Sequence, residues 1–250
     1  LEGFSEGDIR NKKTIYYAMV TWLDDMIGQI LDKLNENNLT DDTLIIFTSD
    51  HGENLGDHGL WSKGCFFDSA SKVPLIINGP GIKKGTVIKK PVSLIDLAPT
   101  ILDAFGIEVP QKMHGFSLLK MVRGGKDKHP GIVMGEYHGH DAVTAEYMVR
   151  KDQYKYIYYT GMESQLFDLK KDPDEVNNLN DDKKYEKIQE DMKKILLKEF
   201  DPVKIDKKVR DYQQKKFKEW LKQKGEQARE ELREYLGQEQ FEELNKYYDF

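Results

Sequence analysis

The chain has 250 residues, 38% of them hydrophobic and 33% charged, which suits one large domain, or one domain with an appended subdomain, around a modest core. Three Trp, 13 Tyr and 11 Phe argue against a disordered chain, and a single Cys excludes a disulfide framework or a multi-Cys zinc site. A net charge of −6 weighs against a nucleic-acid partner, and no apolar run approaches the length of a membrane span. No charged, then apolar, then small-residue pattern opens the chain, so its first residues do not read as a signal peptide.

In chain order, Ile15, Met19, Trp22, Leu23, Met26, Ile30 and Leu34 recur at three- and four-residue steps. This spacing predicts a helix over about 13–37 with one apolar face. Asn37-Asn38 ends it and Thr40-Asp41-Asp42 turns the chain. Leu44-Ile45-Ile46-Phe47 reads as a short strand, apolar throughout, of the kind buried on both faces of a parallel sheet. A loop rich in Gly, Asp and His follows over 49–63, then a second buried strand, Val73-Pro74-Leu75-Ile76-Ile77, closed by Asn78-Gly79-Pro80-Gly81. A second amphipathic helix over 93–105 carries Leu94, Leu97, Ile101 and Leu102. The strand–helix alternation predicts an α/β core.

From Gly124 the texture changes. Runs at 132–134, 146–150 and 153–159, separated by turns, predict a small antiparallel sheet, and 168–180 reads as a polar loop. Beyond Asp182 basic and acidic residues interleave around sparse apolar stripes, which describes solvated helices without a persistent heptad. The expected organisation is therefore an α/β part over 1–123, an antiparallel β subdomain over 124–180 and a charged helical tail over 181–250.

The informative stretch is Thr48-Ser49-Asp50-His51-Gly52-Glu53, directly after the first strand. Ligands of open α/β sheets bind beyond the carboxyl ends of strands. There, Asp50 and His51 can offer a hard oxygen and an imidazole nitrogen to one divalent cation. Gly52 lets the chain turn away, and Glu53 can orient a ligand from behind. Lys63 follows in Gly59-Leu60-Trp61-Ser62-Lys63. A lysine brought beside a cation site makes sense when an anion lies between them, and a tetrahedral sulfate or phosphate fits that need.

Ser49-Asp50-His51-Gly52, the Gly-Leu-Trp-Ser-Lys run and Val73-Pro74-Leu75-Ile76-Ile77 together resemble the sulfatase family of the alkaline-phosphatase superfamily. Tyr17, Asp24 and Gly28 of the first helix fit the same pattern. So do Tyr154-Lys155-Tyr156-Ile157, Leu166-Phe167-Asp168-Leu169, Asp172-Pro173 and the run from Glu175 to Leu179. The resemblance covers roughly 13–180, and its spacing is most similar to choline sulfatases and phosphonate monoester hydrolases. It implies an α/β, alkaline-phosphatase-like fold, truncated, with a small C-terminal antiparallel sheet and a helical tail. It also implies that Asp50 and His51 ligate a divalent metal, Ca²⁺ foremost and Mn²⁺ or a similar ion as the alternative. Lys63 would hold the sulfuryl or phosphoryl oxygens and stabilise the leaving oxygen as a catalytic residue.

His58 shares the loop with Lys63, and His138 and His140 lie in Glu136-Tyr137-His138-Gly139-His140, where such enzymes often bring substrate-contacting groups. These three are candidate substrate-binding residues; the alternative for His58 is a structural hydrogen bond, and for His138 and His140 an exposed loop or a second metal site. His114 falls in a turn common to the family and reads as structural. The family's nucleophile motif, Cys/Ser-x-Pro/Ala-x-Arg with the Cys oxidised to formylglycine, does not occur. Cys65 precedes Phe66-Phe67-Asp68-Ser69, and Ser71 precedes Lys72-Val73-Pro74-Leu75. The resemblance therefore implies the C-terminal half of a sulfatase, with formylglycine expected only in the missing N-terminal half and this chain inactive alone. Expected partners are a small-molecule sulfate or phosphate ester, the missing half and another copy of the chain, with no nucleic acid and no membrane. A phosphonate or phosphate ester hydrolase, a phosphoethanolamine-type transferase and a non-catalytic interaction module stand as alternatives.

Overall fold

The computed structural model describes residues 4–139, 142–238 and 240–242. Helix α1, Glu6–Glu36, starts earlier than the apolar periodicity predicts, because a capping box sits ahead of it. Ser5 Oγ accepts from the Asp8 amide at 3.2 Å, and the Ser5 amide donates to Asp8 Oδ2 at 2.9 Å. The apolar stripe is present but uncovered among the described residues. No α1 residue is buried, and Ile15 and Trp22 are 61% and 63% exposed. At its start the helix meets the loop that carries Lys63. Phe4 packs against Trp61 with ring centroids 5.8 Å apart, and the Lys12 ammonium lies over both rings.

Strand β1, Ile45–Thr48, pairs with β2, Leu75–Asn78, from Ile45 opposite Asn78 to Thr48 opposite Leu75. The parallel, doubly buried arrangement expected of these runs is corrected: the pair is antiparallel, and β2 alternates half-buried and exposed residues. An apolar run signals burial when neighbours exist on both sides, and this sheet has two strands among the described residues. Short helix α2, Asp68–Ser71, lies just before β2.

Helix α3, Leu97–Ala104, is led in by a 3₁₀ turn over Leu94–Asp96. Its fully buried residues are Pro99 and Thr100, with Asp96 at its lead-in, while Leu97 and Leu102 are half-buried and Leu94 and Ile101 exposed, so only part of the face the apolar periodicity predicts is covered. A polar network decides this. The Asp96 carboxylate accepts from the amides of Ser93 (2.7 Å) and Phe116 (2.8 Å) and meets His129 Nε2 at 3.0 Å. Thr100 Oγ1 accepts from the Leu118 amide at 2.9 Å, just before α4, Leu119–Val122.

Four antiparallel strands follow in sequential order: β3 Ile132–Tyr137, β4 Glu146–Lys151, β5 Tyr154–Tyr159 and β6 Gln165–Asp168. The fourth extends the three that the sequence predicts. One face packs Met148, Ile157 and Phe167 against Phe66 and Phe67 of the site loop. Helix α5, Glu186–Glu199, lies against β4 and β5, with Met192 and Leu196 buried and Lys193 over the Tyr158 ring. Cover on both sides accounts for the unbroken burial of residues 146–149.

The chain divides into two compact units between Glu199 and Phe200, so the first of the charged helices folds with the sheet. The second unit holds α6, Pro202–Lys224, and α7, Glu226–Leu236. Asp201 caps α6 and Gly225, at φ +57°, ends it. Pairs such as Lys207–Asp211 and Arg210–Asp206, each 2.8 Å, line its solvated surface. Among the described residues no helix is long and apolar enough to cross a membrane.

Candidate active site

Beyond the last residue of β1 the chain turns sharply against the segment before β2. The Gly52 amide donates to the Ala70 carbonyl at 2.7 Å, and a Cβ on Gly52 would stand 2.0 Å from the Ser69 carbonyl oxygen. Only glycine allows this approach. The turn presents Asp50 and His51 together. The His51 amide donates to Asp50 Oδ1 at 2.9 Å, and that bond is the chief reason the carboxyl is held below its usual range. Its side chain remains 83% exposed, an ionised oxygen donor facing outward.

The His51 tautomer follows from its neighbours. Nδ1 lies 2.8 Å from the Gly52 carbonyl oxygen, which can only accept, so Nδ1 carries the proton. Nε2 then offers a lone pair, and the Lys63 ammonium donates to it at 2.7 Å. Asp50 Oδ2 stands 3.5 Å from the same nitrogen. The structure thus brings Asp50, His51 and Lys63 into one corner, as the sequence predicts.

What returns Lys63 to His51 is the loop between them. Glu53 Oε1 accepts from the amides of Ser62 (2.6 Å) and Leu55 (3.3 Å), so Glu53 staples the loop that carries the lysine rather than bracing a metal ligand. Buried Asn54 accepts from Ser69 Oγ at 2.6 Å and touches the free thiol of Cys65 at 3.5 Å. Leu55, His58 and Ser62 all hold positive φ, between 49° and 67°. Strain of this kind persists where surrounding structure over-determines the backbone.

A cavity of about 690 Å³ runs from this corner to the face of β3–β5, where Tyr137, Arg150 and Lys155 line it. Lys155, 2% exposed, ties that face to the site loop: it donates to the Phe66 carbonyl (2.9 Å), pairs with Asp68 and meets Glu175 Oε1 at 2.7 Å. Burial pushes the Asp68 carboxyl up, but the charge and hydrogen bond of Lys155 outweigh it and hold the group low.

The candidate histidines fall elsewhere. His58 is exposed and stacks on Phe67, with centroids 3.8 Å apart and planes 9° from parallel. His138 sits 3.1 Å from Glu136 and edge-on to Tyr147. Neither borders the cavity. His140 lies outside the described residues, and His114 is exposed. Arg150 and Lys155, which do border it, were hidden in an ordinary strand pattern. Among the described residues no cluster of three or more His, Cys, Asp or Glu is set to hold a metal. Asp50 and His51 fit a divalent cation as two donors of a larger set.

The N-sulphoglucosamine sulphohydrolase C-terminal family matches residues 56–202, and the Sulfatase family matches residues 4–107. Arylsulfatase K of Xenopus laevis is 37% identical over 228 residues, covering 87% of this chain and 42% of that protein. Arylsulfatase K of Homo sapiens is 35% identical, again over 87% of this chain and 42% of its own length. The chain therefore spans less than half the length of these relatives. Among solved structures, a 2-O GAG sulfatase superposes with a TM-score of 0.72 at 33% identity, over 77% of this chain and 43% of that one. The phosphonate monoester hydrolase of Agrobacterium radiobacter gives 0.71 at 30% identity, over 78% and 42%. The α/β core with its small antiparallel sheet and helices is the sulfatase fold in part, and the chain belongs to the sulfatase family of the alkaline-phosphatase superfamily.

Proposed function

We propose that the protein carrying this chain hydrolyses sulfate esters with the help of a divalent cation, and that this chain contributes one side of the active site. The observation that supports this is the corner itself: an ionised Asp50, the lone pair of His51 Nε2 and the Lys63 ammonium converge at a strand end in a sulfatase-family chain. Asp50 and His51 would hold the cation, calcium foremost, whose charge would neutralise sulfuryl oxygens. The lysine proton donated to His51 Nε2 is free to turn to an ester oxygen once that lone pair is otherwise engaged. Lys63 then binds the sulfuryl group and steadies charge on the departing oxygen.

The nucleophile of this reading comes from outside these 250 residues, because no Cys/Ser-x-Pro/Ala-x-Arg run occurs in them. The chain by itself is then inactive, and the exposed face of α1 is where the remainder of the protein packs. A second reading, hydrolysis of phosphonate or phosphate esters, draws support from the likeness to a phosphonate monoester hydrolase. Kinetics of the full-length protein on an aryl sulfate and an aryl phosphonate monoester separate the two. The proposal expects kcat/KM to favour the sulfate at least tenfold. A preference for the phosphonate would replace the first reading with the second, and turnover by the isolated chain would contradict both.

A further inference from the structure

Helix α6 carries nine Lys or Arg against three Asp or Glu, in a chain whose net charge is −6. Its three carboxylates are all engaged, Asp206 by Arg210, Asp211 by Lys207 and Glu219 by Lys216, each at 2.8 Å. Lys204, Lys208, Lys215, Lys218 and Lys222 are left over, and all five are exposed. Among the described residues only Lys215 has a carboxylate within reach, Glu219 at 4.0 Å, which Lys216 already holds more closely. At the helical period the five fall within one sector of about 80° and form a ridge about 27 Å long. Asp211, the one acidic residue in that sector, is neutralised by Lys207. Ile205, Val209, Phe217, Trp220 and Leu221 lie half-buried on the rest of the helix. Like charges three and four residues apart destabilise a helix. Helices α5 and α7 avoid this with acids at the same spacing, as in Lys194–Glu190 and Arg229–Glu226. The α6 ridge keeps its repulsion, which a polyanion laid along it would relieve.

What the ridge has and lacks decides the occupant. A helix that lies on a membrane sets apolar side chains beside its lysines to enter the lipid, and no apolar residue interrupts this ridge. Single-stranded nucleic acid is held by aromatic faces on which bases stack. Here Phe217 and Trp220 stack on each other, with centroids 5.9 Å apart and planes 18° from parallel, and both are half-buried. Five point charges on flexible stems, with no guanidinium fork among them, suit many weak contacts along a repeating anion rather than one fixed group. We propose that the lysine ridge of α6 docks a linear sulfated polysaccharide, the polymer that bears the ester to be cleaved. This deepens the sulfatase reading and rests on it for the choice of sulfate among repeating anions.

The test measures binding of a fluorescent heparin octasaccharide to the full-length protein. A single-stranded oligonucleotide of matched charge and phosphatidylserine–phosphatidylcholine vesicles are measured beside it. One variant combines Lys208→Gln, Lys218→Gln and Lys222→Gln on the ridge, and a control combines Lys83→Gln, Lys84→Gln and Lys112→Gln, equally exposed lysines elsewhere. The octasaccharide is expected to bind the wild type at least tenfold more tightly than either comparison probe, and more weakly as salt rises. The ridge variant should lose at least tenfold in affinity with its melting temperature unchanged, and the control less than twofold. The proposal is overturned if the octasaccharide does not bind at low salt, if the ridge variant binds as the wild type does, or if the control loses as much, since net charge alone would then explain the binding. Equal or tighter binding of the oligonucleotide or the vesicles overturns it as well. None of these readings needs turnover. A full-length protein that hydrolyses no sulfate ester would sink the sulfatase reading alone, and ridge-dependent binding of the octasaccharide would still support the docking surface.

Discussion

Lys155 and Glu146 stand on the same face of one sheet, and burial acts on them with opposite outcomes. Lys155 is compensated by two carboxylates, and removing it would strand both. Lys155→Met should therefore lower stability by about 3–5 kcal/mol, read by denaturant unfolding. Loss of less than about 1 kcal/mol would mean that Asp68 and Glu175 find water or Arg150 instead. Glu146 has no such compensation. Its Oε2 is buried without a partner, and burial pushes the carboxyl up to about 7 from its ordinary 4.5. The folded state then binds a proton that the unfolded state releases, so this group's contribution declines as pH rises from about 4.5 to 7. Glu146→Gln should flatten that decline and raise the melting temperature at pH 8. An unchanged pH profile would place the titration elsewhere. At this scale the sequence disclosed contacts that are local. Asp50 and His51 are adjacent, and Lys63 is returned by its own loop. It did not disclose Lys155, whose carboxylate Asp68 lies 87 positions away.

Elements were legible wherever a single periodicity or cap decides them, and illegible where neighbours decide. The apolar spacing located α1, β1, β2 and three strands of the larger sheet, because burial demand is written in the pattern itself. Strand direction is not. Leu44 to Phe47 and Val73 to Ile77 look like parallel core strands, yet β1 and β2 run antiparallel. Part of the inward face of α3 also escaped prediction, since Asp96 and Thr100 are drawn in by His129, Phe116 and Leu118 rather than by hydrophobicity. The β1–α2 corner makes the most specific demand on one residue. Gly52→Ala places a methyl group against the Ser69 carbonyl, where only backbone movement can relieve it. A loss of roughly 1–3 kcal/mol in thermal unfolding is expected, with the amide of residue 52 losing protection from hydrogen exchange. Unchanged protection would show that the 69–70 segment yields instead.

For the whole molecule the decisive facts are a sulfatase-family chain that spans less than half of its curated relatives and a long amphipathic helix with its apolar stripe exposed. Exposed stripes of this size associate. Sedimentation of the 250-residue chain should accordingly show concentration-dependent self-association, whereas a compact monomer at every concentration would show that α1 needs no cover. The family was readable because its motifs are short and contiguous. The substrate was not, because the cavity is assembled from the site loop and a sheet far along the chain. The central claim is that Asp50, His51 and Lys63 form the metal- and anion-binding side of a sulfatase centre. It is tested most directly by steady-state aryl sulfate hydrolysis in the full-length protein, comparing wild type with Lys63→Ala, each with and without a chelator. The account predicts turnover that stops on chelation and falls on the order of a hundredfold in Lys63→Ala. Turnover that survives chelation and is unchanged by Lys63→Ala would contradict it.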